Sequence, residues 1–308
     1  MGVEIDQVQA LVAIVRGGGV TRAAAALHVS QPAVSRRLHL LEQELGAPLF
    51  ERLRKGVILT EAGRAFLPHA EALLASMRDG AEAVRALEGA DRGAITLALV
   101  GTLASTALTA RLQAFRDGCP HVQLRLRTAL SAEVSGLVRR GDATLGLRYG
   151  ADEGGELVSA TLHEEPRLVV CSPRHRLARA RPARAVTPAM LKGEPWIGFP
   201  TRPDGAEEAY ASLPHCLATC GLGGAEIIGI DSLTAQKRMV EAGFGLALLP
   251  ESSVGEELRT GTLRRLDVPA MRVTIPVVLI HRRRAYLSAA TRRLMALLAA
   301  KPSRKERT

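Results

Sequence analysis

The chain has 308 residues, 47% of them apolar, with 29 Gly and 16 Pro; this suffices for two or three compact units and excludes wholesale disorder. No apolar run approaches the roughly 18 residues that span a bilayer, and the opening MGVEIDQVQA lacks the basic-then-apolar layout of a secretion signal, so a cytoplasmic protein without membrane contact is expected. The net charge of +10 does not itself mark a nucleic-acid binder, because residues 1–88 carry ten Lys/Arg against ten Asp/Glu and the surplus lies downstream.

Val8, Leu11, Val12 and Val15 form one amphipathic helical face, ended by Gly17-Gly18-Gly19. Thr21 to Leu27 is an Ala-rich run of high helix propensity, interrupted by the short turn His28-Val29-Ser30. Ser30 is a good N-cap, and Pro32 falls in a first turn where its missing N–H costs nothing, so a second helix starts at Gln31. Val34, Leu38, Leu41 and Leu45 make its apolar stripe, while Gln31, Pro32, Ser35, Arg36 and His39 occupy the other side. Gln can pair bidentately with adenine, Arg with guanine and Ser with either, and such helices dock by their N-terminal turns in a major groove. A polar surface helix is the plainer alternative for such a face in isolation. Gly46-Ala47-Pro48 breaks the chain, and Leu49-Phe50 and Val57 to Leu59 read as two short strands around an Arg54-Lys55-Gly56 turn. The whole stretch thus reads as a helix-turn-helix with a basic wing, in which Arg36, Arg37, Arg52, Arg54 and Lys55 can neutralise phosphates.

From Thr60, a good N-cap, a helical pattern runs to about Leu87, with Pro68 expected to bend it. Phe66, Ala70, Leu73, Met77, Val84 and Leu87 recur at threes and fours, a narrow seam that fits a dimerisation helix; packing on its own downstream domain is the alternative. After the linker Gly89 to Gly93, strand patterns at Ile95 to Val100, Val122 to Leu126 and Leu145-Gly146-Leu147 alternate with helical ones. The first helix carries Leu108, Leu112 and Phe115, and the second Val134, Leu137 and Val138. This βαβαβ order implies a parallel sheet whose ligand site lies beyond the carboxyl ends of the strands. Leu168 to Cys171, Trp196 to Phe199, Glu226 to Ile230 and Leu246 to Leu249 are strand candidates of a second α/β unit, with a helix at Leu233 to Ala242. Val277 to Ile280 and the helix Leu287 to Ala299 look like a return to the first unit, and the polar, basic tail Lys301 to Thr308 is expected to be disordered. Cys119, Cys171, Cys216 and Cys220 make no metal-ligand spacing; Cys216 and Cys220 would face each other on a helix, but reduced structural thiols are the default.

The N-terminal stretch resembles the DNA-binding domain of LysR-type transcriptional regulators. The resemblance is carried by Thr21-Arg22-Ala23-Ala24, Leu27, Val29 to Arg36, Leu41-Glu42, Glu44-Leu45-Gly46, Leu49-Phe50-Glu51-Arg52 and Leu59 to Gly63. Downstream, Pro166 to Val170, His175 to Ala178, Gly193 to Ile197 and Gly243 to Pro250 resemble that family's effector-binding domain. Three departures stand out: Gly19-Val20 replaces a Ser and an aromatic residue, Arg176 stands where Pro is usual, and Thr144 where an Asp commonly precedes the third strand.

The resemblance implies an α/β protein with an all-α-dominated N-terminal winged helix-turn-helix and a C-terminal two-lobed, periplasmic-binding-protein-like α/β domain. The divisions expected are 1–60 for DNA binding, 61–89 for a linker and dimerisation helix, 90–300 for effector binding and 301–308 for the tail. Lobe I takes about 90–163 and 267–300, and lobe II about 164–266. DNA contacts are expected from Thr21, Arg22, Ser30, Gln31, Pro32, Ser35, Arg36, Arg37, Arg52, Arg54 and Lys55, and dimerisation from Leu73, Met77, Val84 and Leu87. For the effector, Thr102 and Ser131 sit at strand carboxyl ends, and the resemblance points to the same two positions; Phe199, Thr201 and Arg202 complete the cleft from the other lobe. Ser and Thr are equally good helix caps, so these two hydroxyls have a purely structural alternative. Helix N-termini with Arg148 and Arg202 nearby suggest an anionic small molecule, a carboxylate.

Enzymes and solute-binding proteins are the rival classes. No G-x-S-x-G, Walker loop, H-E-x-x-H or strand-linked G-x-G-x-x-G is present, so neither catalytic nor metal-binding residues nor a resident cofactor are expected. The resemblance implies as partners double-stranded DNA at an interrupted inverted repeat near a promoter, a second or further copies of the chain as homodimer or homotetramer, a small-molecule effector, and RNA polymerase.

Overall fold

The computed structural model describes residues 2–53, 56–85, 93–152, 154–179, 185–200 and 212–300. They fall into two compact units. The first takes the described residues up to Arg85 with the short segments 139–142 and 284–288, and the second the remainder.

The first unit begins with α1 (Ile5–Gly17), α2 (Val20–Leu27) and α3 (Gln31–Leu45). Gly18 ends α1 in the left-handed region at φ 67°, which glycine adopts without a Cβ penalty. Gly19 heads α2 without any side-chain cap, the structural counterpart of the Gly19-Val20 departure. Ser30 caps α3 by accepting the Ala33 N–H at 3.3 Å. Strands β1 (Phe50–Leu53) and β2 (Gly56–Leu59) pair antiparallel with Arg52 opposite Val57, and α4 (Glu61–Arg85) follows as one helix with Pro68 inside it. Thr60 links wing and helix: its Oγ1 accepts the Gly63 N–H at 3.0 Å and donates to the Pro48 carbonyl at 2.7 Å. Gly63 then lies so close to the Leu49 carbonyl that a Cβ there would overlap it.

Buried Leu11, Leu41, Leu49 and Ala70 share one core with Phe66, Leu67 and Leu74, so the early part of α4 packs on its own domain. This divides the expected seam. Phe66 and Ala70 face inward, whereas Leu73, Met77 and Val84 are 43%, 50% and 64% exposed. A 25-residue helix can carry two apolar stripes on different sides, and spacing at threes and fours does not separate them.

The second unit is α/β. Its elements are β3 (Gly93–Val100), α5 (Thr106–Gly118), β4 (Val122–Ala129), α6 (Ser131–Arg139), β5 (Leu145–Tyr149), β6 (Leu157–Cys171), α7 (Arg176–Arg179), β7 (Trp196–Gly198), α8 (Leu213–Thr219), β8 (Ile227–Gly229), α9 (Leu233–Ala242), β9 (Leu246–Pro250), α10 (Glu251–Thr260), β10 (Arg264–Leu266), β11 (Val273–Arg282) and α11 (Ala289–Ala299). Among the described residues the strands run in the order β4-β3-β5-β11-β6-β9-β7-β8, with β10 beside β6. β3 pairs parallel with β4 and β5, and β7 parallel with β8 and β9. Between these parallel halves the long strands β6 and β11 pair antiparallel, from Val273 opposite Arg167 to Arg282 opposite Leu157, with a register shift between Val277 and Val278. The chain therefore crosses between the halves twice, once on β6 and once on β11.

Each half buries apolar side chains on both sheet faces. Leu97, Phe115, Leu145 and Leu294 lie on one face of the first half, with Val134, Val138 and Ile280 on the other; Trp196, Leu217 and Leu246 are opposed by Ile197, Val240 and Val254 in the second. At the two downstream departures, Thr144 Oγ1 accepts the Thr96 N–H at 3.2 Å, and Arg176 donates to Glu194 at 2.9 Å and to the Met190 carbonyl at 2.7 Å.

Candidate nucleic-acid interface and effector cavity

The face of α3 expected to read DNA is set by the helices packed behind it. Val34 is buried against α1 and α2 and Leu41 against α1 and α4, which fixes the helix roll and leaves Gln31, Pro32, Ser35 and Arg36 exposed. Gln31, Ser35 and Arg36 engage no partner among the described residues, so their donors and acceptors remain available at the N-terminal turns. Arg37 differs: its Nη2 donates to Asp6 Oδ2 of α1 at 2.6 Å, which fastens α3 to α1 and engages that guanidinium. Thr21 and Arg22 are exposed on α2, with the Arg22 guanidinium packed beside Gly18. The wing is anchored by Glu42, whose Oε1 accepts the Leu49 N–H at 2.7 Å. Arg52 lies in β1; Arg54 and Lys55, the expected wing tip, lie outside the described residues, as does Leu87 of the expected seam.

In the second unit a cavity of about 330 Å³ opens where the two halves meet. Val100 to Thr102, Thr128 to Ser131, Glu133 and Tyr149 form one side, and Phe199, Ser212, Asp231 and Leu233 the other, with Arg167, Pro250 and Ile275 also in its wall. Thr102 and Ser131 are 7% and 8% exposed. Neither caps its own helix. The Thr102 hydroxyl shares a 2.9 Å hydrogen bond with the Tyr149 hydroxyl, and the first turn of α6 is served instead by Glu133, whose Oε2 accepts the Leu130 N–H at 3.2 Å. Ser131 has no hydrogen-bond partner among the described residues, and the first-turn N–H groups beside it lack intrahelical acceptors by the geometry of a helix start.

Arg148 corrects the sequence reading. Side chains alternate along β5, so Tyr149 faces the cavity and Arg148 the opposite side of the sheet. The residue is 8% exposed, and its guanidinium donates to Ser135 Oγ at 2.8 Å and pairs with Asp152 at 3.2 Å, tying α6 to the end of β5. Phe199 lines the cavity, while Thr201 and Arg202 lie outside the described residues.

The four cysteines are free thiols. Burial beside Glu194 pushes Cys171 up to about 12, and burial also raises Cys216. Cys220 Sγ donates to the Ala270 carbonyl at 3.2 Å. Among the described residues no group of His, Cys, Asp and Glu could hold a metal, and no helix is long and apolar enough to cross a membrane.

A family described as bacterial regulatory helix-turn-helix protein, lysR family, matches residues 5–64, and one described as LysR substrate binding domain matches residues 88–302. The chain belongs to the LysR family of transcriptional regulators. It is 32% identical to the HTH-type transcriptional regulator CfxR of Cupriavidus necator over 270 residues, covering 86% of this chain and 81% of CfxR. Its fold matches a full-length OxyR variant from Pseudomonas aeruginosa at a TM-score of 0.72, with 19% identity over 97% of this chain and 94% of that one. It also matches full-length LysG from Corynebacterium glutamicum, solved with bound effector Arg, at a TM-score of 0.61 and 22% identity over 96% of each chain.

A LysR-type chain is a DNA-binding transcriptional regulator, not an enzyme, and its second unit is the effector-binding domain. Tyr149, Glu133, Arg167 and Asp231 stand in the cavity wall of this regulator without having been singled out in the sequence. Only Arg167 had a signal available, as part of the Pro166 to Val170 mark, and there it directly precedes the strand expected at Leu168 to Cys171.

Proposed function

We propose that this LysR-type regulator reads base edges through Gln31, Ser35 and Arg36, holds the DNA backbone through Thr21, Arg22 and the wing residues Arg52, Arg54 and Lys55, and pairs with a second copy through α4. Ser30 and Pro32 shape the start of the reading helix, and Arg37 acts indirectly by locking α3 to α1. The observation that carries this reading is the set of exposed, unpartnered Gln31, Ser35 and Arg36 on the N-terminal turns of a helix whose other face is buried. Exposed Leu73, Met77 and Val84 support pairing, since an apolar stripe on one long helix is covered at low cost by the same stripe of a partner. A dimer, or a dimer of dimers, then matches an interrupted inverted repeat near a promoter, where RNA polymerase is the further partner.

The effector is a small molecule bearing a carboxylate, bound in the cavity with that group at the first turn of α6. Ser131 and Thr102, both more than nine-tenths buried, together with the free N–H groups of that turn, support this placement. Electrophoretic binding of the full chain to the DNA upstream of its own gene, with and without a series of small carboxylates, tests it. A retarded complex whose footprint shifts with one carboxylate is the expected result. No complex on that DNA, or a footprint indifferent to every carboxylate but shifted by an uncharged compound, would contradict the reading.

A further inference from the structure

We propose that the effector is dipolar: besides its carboxylate it carries a protonated amine, which Asp231 receives on the other side of the cavity. The inference rests on the carboxylate placement just described and adds the second charge.

The charged side chains of the described cavity wall are Glu133, Arg167 and Asp231, two carboxylates and one guanidinium. They are not equivalent. Glu133 serves the first turn of its own helix by accepting the Leu130 N–H. Arg167 sends Nη2 to the Leu248 carbonyl at 2.6 Å. Asp231 has neither a hydrogen-bond nor an ion-pair partner among the described residues. Nor does α9 require it as a cap, since Ser232 already accepts the Ala235 N–H at 3.4 Å.

A dicarboxylate would set its second charge against a wall whose described side chains carry surplus negative charge, and like-charge juxtaposition is how a site rejects a ligand. An ammonium group reverses the sign of that contact. Phe199, Leu233 and Ile275 supply apolar surface for the carbon skeleton between the charged ends. The ligand class that fits is therefore a small amino acid-like zwitterion.

The test uses the full chain and its Asp231→Asn variant. Binding is measured by calorimetry and thermal shift against the standard amino acids, the carboxylic acids that lack their amines, and the amines that lack their carboxylates. Asp231 is solvent-exposed, so Asp231→Asn leaves unliganded unfolding unchanged. For the amino acid that binds best, removing the amine weakens binding about fivefold in the unchanged protein, the scale of an exposed ion pair. In Asp231→Asn, the acid and the amino acid bind alike. An acid that binds the unchanged protein as tightly as its amino acid overturns the inference, as does a difference that survives Asp231→Asn; either leaves the carboxylate placement standing. Binding by the amines alone overturns that placement, and binding by neither carboxylate series overturns both.

Discussion

The carboxylate of Glu42, in the reading helix α3, accepts the backbone N–H of Leu49 at 2.7 Å, immediately before the first wing strand. Helix and wing are thereby joined through one side chain, with the Phe50 N–H as a weaker second donor at 3.4 Å. Glu42→Ala should cost about 1.5–3 kcal/mol, the range for a hydrogen bond to a charged group. Thermal unfolding and binding to specific and scrambled DNA check this: stability falls, and both DNAs are weakened alike, as the proposed backbone contacts of the wing require.

Ser131→Ala separates ligand contact from capping. The N–H of Leu130 is satisfied by Glu133 and the Ser131 hydroxyl makes no hydrogen bond among the described residues, so its removal forfeits none and should not lower the stability of the unliganded protein. The DNA response to effector should be lost. Thr102→Val behaves differently, losing about 1 kcal/mol along with the response, because its hydroxyl also bonds Tyr149. Unfolding without ligand and footprinting with it measure the two effects.

Met77→Glu puts a charge in the middle of the exposed stripe of α4. If that stripe covers its counterpart on a second copy, an unpaired charge is buried there and assembly weakens by about 2 kcal/mol or more. Sedimentation should show smaller particles at the same protein concentration, with unchanged unfolding of the separate chain. Unchanged assembly and DNA affinity would place the interface elsewhere.

Glu194 ties stability to acid. Burial alone would raise its carboxyl, but the hydrogen bonds and charges of His175 and Arg176 outweigh burial and hold it below the ordinary 4.5. A depressed folded value means the unfolded chain takes up the proton first. The contribution of Glu194 is thus present above 4.5 and is lost as pH falls through the lowered value. Thermal unfolding across the acid range should show a shallower decline for Glu194→Gln than for the unchanged protein.

The reading helix was legible because its evidence is local: Ser30 and Pro32 start it, and Val34, Leu38, Leu41 and Leu45 set its inward face. Arg37 was not, because the residue that claims it, Asp6, lies 31 positions upstream on another helix. Arg148 failed for a related reason, since which side of β5 meets the cavity depends on register with β11 and β3, beyond the reach of strand position alone. The first eleven residues of β6 went unread because Ser159, Thr161, His163, Glu164 and Glu165 are too polar for a buried strand. Glu165 is nonetheless 4% exposed there, accepting the Ser252 N–H at the start of α10 at 2.9 Å. Tyr149 and Asp231 carry no sequence signal at all; only the fold brings them to one cavity.

Arg36 gives the most direct test of the account, since it is exposed, has no partner among the described residues and lies on the N-terminal turns proposed to enter a major groove. The measurement is the affinity of Arg36→Ala, beside the unchanged protein, for DNA from upstream of its own gene and for a scrambled duplex of equal length and salt. Loss of a bidentate base contact predicts a penalty of about 1–3 kcal/mol on the specific DNA, a much smaller one on the scrambled duplex, and relaxed preference at one base pair. Equal penalties on both duplexes would make Arg36 a phosphate contact and contradict its role in reading sequence.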